Sequence, residues 1–325
     1  MAVSRRCAFA SLIIVLLIPA SATAQTFTPP SRVGSITIAW QWVDNTGHIV
    51  SDGTFFPRGQ SVTTSLLAEI DYGVTDRLAA TVAVPFVFAR YTGQLPPFSG
   101  LERDACRCWH QSLQDFSIAG RYRFGDEFWA LTPQVRVIVP SHDYPYRGEA
   151  VVGPNLNQVL LGIGGAWRLA PALPKASIQA GYTFALVEKA VEDLRANRSN
   201  VSTSFGYALT RSLYVHGGAL FQKTHGGLTA FDLGVAPPDQ RAQADRLLKM
   251  RYWHLTGGLS YSAGFADLFF AVEPYVWGRD THDGIAYTVG STWYFDFSRP
   301  TPSDTGAPSR ETPSRAVRHA TDHDQ

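Results

Sequence analysis

The chain is short of charge. Only 17% of its 325 residues are Asp, Glu, Lys or Arg, and 28 basic against 27 acidic residues leave a formal net charge of +1. A balance this even offers no field to a polyanion, so nucleic acid is not expected as a partner. Long apolar runs are lacking as well: beyond the first two dozen residues no stretch reaches the roughly 18 apolar residues that a spanning helix needs. With three cysteines, one of them Cys7 near the start, a disulfide framework cannot be the main support of the fold. No Gly-x-Ser-x-Gly elbow, zinc-protease motif or phosphate-binding loop occurs, so neither catalysis nor a cofactor or metal is expected.

Both ends differ from the middle. Residues 1–24 carry Arg5 and Arg6, an apolar run from Ala8 to Ile18, and Ala22-Thr23-Ala24 before Gln25, the pattern of a cleaved secretory signal. Cys7-Ala8 directly after the arginines does not fit twin-arginine export, and Cys7 precedes the apolar run, which does not fit a lipoprotein. Residues 298–325, beginning SRPTPSDTGAPSR, are rich in Pro, Ser, Thr and charge with almost no apolar content, and read as a disordered periplasmic tail.

What is present between them is alternation. In QDFSIAGRYRFGDEFWALTPQVRVIV (residues 114–139), Phe116, Ile118, Tyr122, Trp129, Leu131 and Val135 share one parity, and Asp115, Ser117, Arg121, Arg123, Gln134 and Arg136 share the other. Twelve candidate strands follow by the same reading, near 32–43, 61–72, 78–91, 111–124, 128–141, 156–169, 175–187, 199–209, 211–223, 250–263, 267–278 and 285–297. Most run 11–14 residues, longer than typical globular strands and suited to a tilted bilayer crossing. Connections alternate between short ones at 73–77, 125–127, 170–174, near Thr210 and at 264–267, and longer ones at 44–60, 92–110, 142–155, 188–198, 224–249 and 279–284. A soluble sandwich would not require that asymmetry. An all-β, transmembrane up-and-down antiparallel barrel of about twelve strands over 25–297 does, with short periplasmic turns and long outer loops. Trp40, Trp42, Trp167, Tyr252, Trp253 and the residues 293–297 lie near strand ends, as interfacial girdles would. Within the longest loop, PPDQRAQADRLLKM (237–250) has helix-forming composition.

The segments DYGVTDRLAATVAVPF (71–86), QDFSIAGRYRF (114–124) and LTPQVRVIVPSHDYP (131–145) resemble the outer-membrane barrel family named for the meta-pathway of phenol degradation. The resemblance covers roughly 31–297 and implies a barrel that transports solutes across the outer membrane. It supplies no binding residues to carry over. STWYFDF, an aromatic last strand, is here followed by the tail.

Parity places Glu69, Asp71, Arg121, Arg123, Arg136, Arg168, Glu273 and Asp296 inside. Four arginines on consecutive strands and four carboxylates across the closure would make opposed walls and a transverse field that selects ions. Alternatively, these groups pair with neighbours on the wall. Tyr252, His254, Tyr275 and Trp277 also point inward and would form a stacking platform for an aromatic or sugar ring, or pack against inserted loops. Cys106 and Cys108 in CRCWH are open to three readings: a disulfide, a soft-metal site with His110, or free or intermolecular thiols. A lipid hydrolase would need a His on the lipid side, whereas His216 and His254 fall on the luminal parity. The expected function is a channel or transporter for passive passage of small solutes, hydrophobic or aromatic ones included, through a lumen lined by residues such as Ser117, Ala119, Gly162, Gly164, Ser202, Ser204 and Gly206. The alternative is a non-conducting barrel whose loops bind a partner. Outer-membrane lipid, a small solute and the barrel-assembly machinery are the expected partners.

Overall fold

The computed structural model of the chain describes residues 26–298 except 58, 94–105, 147, 149, 192, 193 and 242. The secretory signal and the tail beyond Ser298 lie outside the described residues.

Twelve antiparallel strands close on themselves. They are β1 (Val33–Ile49), β2 (Gly59–Gly73), β3 (Leu78–Gly93), β4 in two pieces (His110–Leu113 and Phe116–Tyr122), β5 (Trp129–Val139), β6 (Gln158–Arg168), β7 (Ala176–Val187), β8 (Ala196–Ala208), β9 (Leu213–Gly226), β10 (Arg251–Ser262), β11 (Ala266–Arg279) and β12 (Thr281–Asp296). Each pairs with its neighbours in sequence, and β12 pairs with β1 from Val33↔Asp296 to Ile49↔Thr281. Closure leaves no unpaired edge, which a sheet in lipid requires.

One face of every strand is apolar and exposed. Ile70, Val82, Ile118, Val135, Leu161, Val201, Phe270 and Val289 are among many large side chains that remain exposed on the outer wall. An exterior of this kind is stable against acyl chains and not against water. Trp40, Trp42, Trp129, Trp167, Trp253 and Trp293 are exposed on the same wall, where aromatic rings mark the two interfaces.

The rim that holds both described ends is built from tight turns, and two of them share a mechanism. The Thr75 hydroxyl accepts from the Leu78 amide at 2.9 Å, and the Thr210 hydroxyl accepts from the Leu213 amide at 3.0 Å. These threonines supply the acceptor that a reversing backbone lacks. In the turn before β5 the Asp126 carboxylate accepts from the amides of Trp129 and Phe128, at 3.0 and 2.7 Å, which holds that carboxyl below its ordinary range. Gly125 takes φ +100° there, and a Cβ would lie 2.3 Å from the Trp129 carbonyl oxygen.

Two expectations are corrected. The segment 279–284 is not a longer loop: β11 and β12 run on to a turn made by Asp280 alone, with φ 51°. The seam strands rise beyond the lipid, where both faces are wet or packed and the period-two signal fades. His48 and His282 still pair across the seam there, their rings 4.4 Å apart. The fourth strand is also not continuous from 111 to 124. Pro85 on β3 has no amide to donate, the ladder stops at Phe86↔Leu113 and resumes at Ala83↔Ser117, and Gln114 and Asp115 bulge between. The Gln114 amide keeps one bond, to the Pro85 carbonyl at 2.9 Å.

At the opposite rim, called the loop rim below, five longer connections meet. The β9–β10 connection holds three short helices, α1 (Ala230–Val235), α2 (Pro238–Arg241) and α3 (Ala244–Leu247). The first opens on a capping box in which the Thr229 hydroxyl and the Asp232 carboxylate each take a backbone amide of the other. No helix among the described residues is long and apolar enough to cross a membrane.

Candidate functional site

The interior of the barrel is the site, and the first layer of it is made by loops. The connection 140–157 turns inward instead of outward. Tyr144 is 1% exposed and packs with Val87, Ala89 and Tyr91 of β3 and with Ala150 and Val152 of its own loop. Its hydroxyl donates to the Asp115 carboxylate in the gap of β4 and accepts from the Asn155 amide at 2.9 Å. Burial and the adjacent carboxylate both push the Tyr144 phenol above its ordinary value. The β4 bulge thus supplies the acceptor that anchors the inserted loop.

A second loop locks onto the first. Arg246 of α3 donates through Nε to the Pro154 carbonyl at 2.6 Å and through Nη2 to the Asn155 carbonyl at 2.9 Å, and its guanidinium lies 3.0 Å from the centroid of the Tyr146 ring. Gln243 Nε2 donates to the Tyr146 hydroxyl at 3.1 Å. Asp280, 5% exposed, joins the β1–β2 and β9–β10 connections: its Oδ1 accepts from Ser51 Oγ at 2.6 Å and from the Ala230 amide at 2.8 Å.

Below the loops the wall carries charge, arranged in pairs. Arg121 Nη1 and Nη2 hold the two oxygens of Asp71 at 2.7 Å each, and Nη1 also donates to Thr81 Oγ1 at 2.7 Å. Thr81 stands between them on β3, accepting from Arg121 while donating to Asp71 Oδ1 at 2.8 Å. Glu69 and Arg136 share the electrostatics of this cluster, and Arg136 reaches Ser117 Oγ at 3.4 Å. Asp71 and Arg121 are therefore not opposed across a gap but neutralise each other on one wall, the alternative that the parity reading left open. A bidentate pair suits a low-dielectric wall because it satisfies both ions at once. Arg123 has turned to the terminal rim, donating to the Asp126 and Asp76 carbonyls at 3.1 Å each. Asp296 is exposed at that rim and accepts from the Ser298 amide at 2.9 Å. Arg168 is exposed too, with its guanidinium 5.4 Å from the Phe27 ring centroid.

Three of the four expected platform residues come together. Tyr252 and His254 pack at a tilt of 36° with centroids 4.7 Å apart, His254 meets Tyr275 edge-on at 6.1 Å, and His254 Nδ1 lies 2.9 Å from Glu273 Oε1. Trp277 does not join them. The register of β10 and β11 shifts between Trp253 and His254, so Trp277 sits opposite Trp253 on the outer wall, 42% exposed, with Arg251 over its ring at 5.1 Å. A bulge inserts one residue and reverses the parity beyond it.

The terminal rim is crossed by residues 26–32. Thr26 is 2% exposed; its hydroxyl donates to Gln179 Oε1 on β7 at 3.2 Å, and its carbonyl accepts from Thr132 Oγ1 on β5 at 2.5 Å. From there the segment runs to β2 and β3, where Thr28 Oγ1 donates to the Asp76 carbonyl at 3.2 Å and the Ser31 amide to Asp76 Oδ1 at 2.9 Å. It is seated against Gly73 at the end of β2, where an added Cβ would lie 2.0 Å from the Pro30 carbonyl oxygen.

Cys106 and Cys108 are joined by a disulfide in the connection before β4, with Cα atoms 5.2 Å apart. His110 Nε2 lies 3.7 Å from Cys106 Sγ. Sequence reading missed three features: the threading of residues 26–32, the inward turn at Tyr144, and Arg198. The last was within reach, because carrying the parity of Ser202 and Ser204 back along β8 passes through Asn200 to Arg198.

Among solved structures, an outer-membrane channel from Pseudomonas putida F1 superposes with a TM-score of 0.67 at 11% identity, over 84% of this chain and 99% of the channel. The NanC porin follows with a TM-score of 0.48, 11% identity and coverage of 79% and 98%. A TodX monoaromatic hydrocarbon channel mutant gives 0.43, 11%, 84% and 92%, too remote, like NanC, to carry an argument. No protein-family model matches the chain, and no curated protein matches it. What the likeness to the P. putida channel establishes is the fold, a closed twelve-stranded antiparallel β-barrel.

Proposed function

We propose that the protein is a passive outer-membrane channel for small solutes, exported by residues 1–24, folded by the barrel-assembly machinery and gated by its inserted loops. The observation that carries this is an inner face that bears polar and charged side chains, with inserted loops at one rim and residues 26–32 at the other, within a wall whose outside is apolar. A barrel with only a structural or surface-binding role has no need of a luminal face bearing Glu69, Asp71, Arg121, Arg136, Arg198, His254 and Glu273. The loop rim faces the cell exterior and the terminal rim faces the periplasm, where residues 298–325 form the tail. The resemblance to the meta-pathway phenol-degradation barrels supports this reading, and the solutes include hydrophobic or aromatic ones. The fold likeness to the P. putida channel supports it at the level of architecture.

One observation favours a partner-binding role for the rim: Phe231 and Val235 on α1 are 60% and 89% exposed beside the mouth. Liposome swelling separates the two. Vesicles carrying the folded barrel swell in small neutral solutes if it is a channel, and behave as empty vesicles if it only binds a partner.

A further inference from the structure

At the loop rim, a small, partly open recess lies between the wall of β6 to β9 and the two inserted loops. Its polar lining is Gln158, Arg198, Thr224 and Arg246; its apolar lining includes Leu156, Val187, Leu248 and Met250. No carboxylate belongs to it.

Arg198 is the distinctive group. Its guanidinium donates through Nη2 to Gln158 Oε1 and makes no ion pair among the described residues, in contrast to Arg121, which grips Asp71 on the other side of the barrel. Arg246 adds a second cation to the lining, its donors directed at backbone carbonyls of the other loop. Opposite Arg198 in register stands Thr224, 2% exposed, whose hydroxyl has no partner among the described residues. A buried hydroxyl without a partner is costly, and so is a guanidinium removed from bulk water without a counter-ion. Both costs vanish if an anion with acceptor oxygens occupies the space. The apolar side chains on the same lining would desolvate a large inorganic ion or a sugar acid without compensation, but they suit a hydrocarbon body.

We infer that this space is a binding subsite for small monocarboxylates with an apolar body, an aromatic or short aliphatic acid. Arg198 and Thr224 hold the carboxylate, and the Leu156, Val187, Leu248 and Met250 side chains cover the hydrocarbon. The inference rests on the channel reading, to which it adds the class of solute. Arg198 differs from Arg121 in having no carboxylate partner among the described residues, and it stands beside the inserted loops at the loop rim.

The test uses the whole mature chain, folded in detergent micelles and checked for heat-dependent gel mobility, with benzoate as probe. Calorimetric titration detects binding whether or not current flows. Saturable benzoate binding, with benzyl alcohol and acetate each at least tenfold weaker, is expected. Arg198→Gln should weaken benzoate roughly tenfold or more, as loss of a charge-assisted contact does, Arg198→Lys should retain part of the affinity, and Thr224→Val should lose severalfold. Equal binding by wild type and folded Arg198→Gln would overturn the inference, as would equal affinity for benzyl alcohol. If Arg198→Gln does not fold, Thr224→Val and Arg198→Lys decide it in the same way. Arg198-dependent binding by a barrel that carries no current would leave the subsite standing and remove the channel. Current without Arg198-dependent binding would remove the subsite and leave the channel.

Discussion

The Arg246 guanidinium covers the Tyr146 ring at 3.0 Å while donating to the carbonyls of Pro154 and Asn155, so one side chain fastens the β9–β10 loop to the inserted β5–β6 loop. Arg246→Ala removes the stacking and both bonds without touching the barrel wall. The expected result is a larger or more often open conductance in planar bilayers, with thermal unfolding in micelles unchanged within about 0.5 kcal/mol, the range of surface substitutions.

Tyr144 anchors the same loop from below, and its protonated form is the one that donates to Asp115. Because the folded protein raises this phenol's pKa, its contribution is fully present below the unfolded phenol pKa of about 10 and declines as pH rises through the folded value. Open-state lifetime should therefore lengthen as pH is taken above about 10. Tyr144→Phe should show longer openings already at neutral pH and a weaker dependence in that range. Identical gating by Tyr144→Phe and wild type at neutral pH would count against the anchor.

Asp71 and Arg121 are each 5% exposed as side chains, and removing one partner strands the other. Arg121→Gln should destabilise the barrel by about 3 kcal/mol or more, measured by urea unfolding from micelles. The double variant Asp71→Asn with Arg121→Gln should recover much of that loss. If instead Arg121→Gln leaves stability intact and shifts ion selectivity, the pair acts as a pore charge.

Residues 26–30 cross the terminal rim through Thr26 and Thr28. Deleting them should raise single-channel conductance and leave the loop-rim benzoate affinity unaltered. Unchanged conductance would mean that the segment does not narrow the path.

Much of the architecture was legible because lipid imposes one requirement on every crossing strand. Wherever a residue meets acyl chains its parity is fixed, so Ile118, Val135 and Phe270 gave strand number, direction and facing without any tertiary knowledge. The signal fails where lipid no longer decides. At Asp280 the strands pass above the bilayer and polarity stops alternating; at Val276 one extra residue reverses the parity, sending Trp277 outward. The site was less legible for a related reason. A luminal charge is assigned by parity alone, but its partner depends on the distance around the barrel, and Thr81 on the intervening β3 bridges Asp71 and Arg121. Nothing in the local pattern of SHDYPYRGEA or TFTPP distinguishes a segment that folds into the lumen from one that leaves it, since both are polar and turn-rich. Their placement is set by small residues and acceptors waiting on the wall.

Passage of solutes through the barrel is read most simply by single-channel recording of the mature chain refolded into planar bilayers. Discrete current steps are expected, with a reversal potential that shifts in a salt gradient and longer or larger openings for Arg246→Ala. A barrel confirmed as folded by heat-dependent mobility that passes no current, as wild type, as Arg246→Ala and after deletion of residues 26–30, would contradict the channel reading.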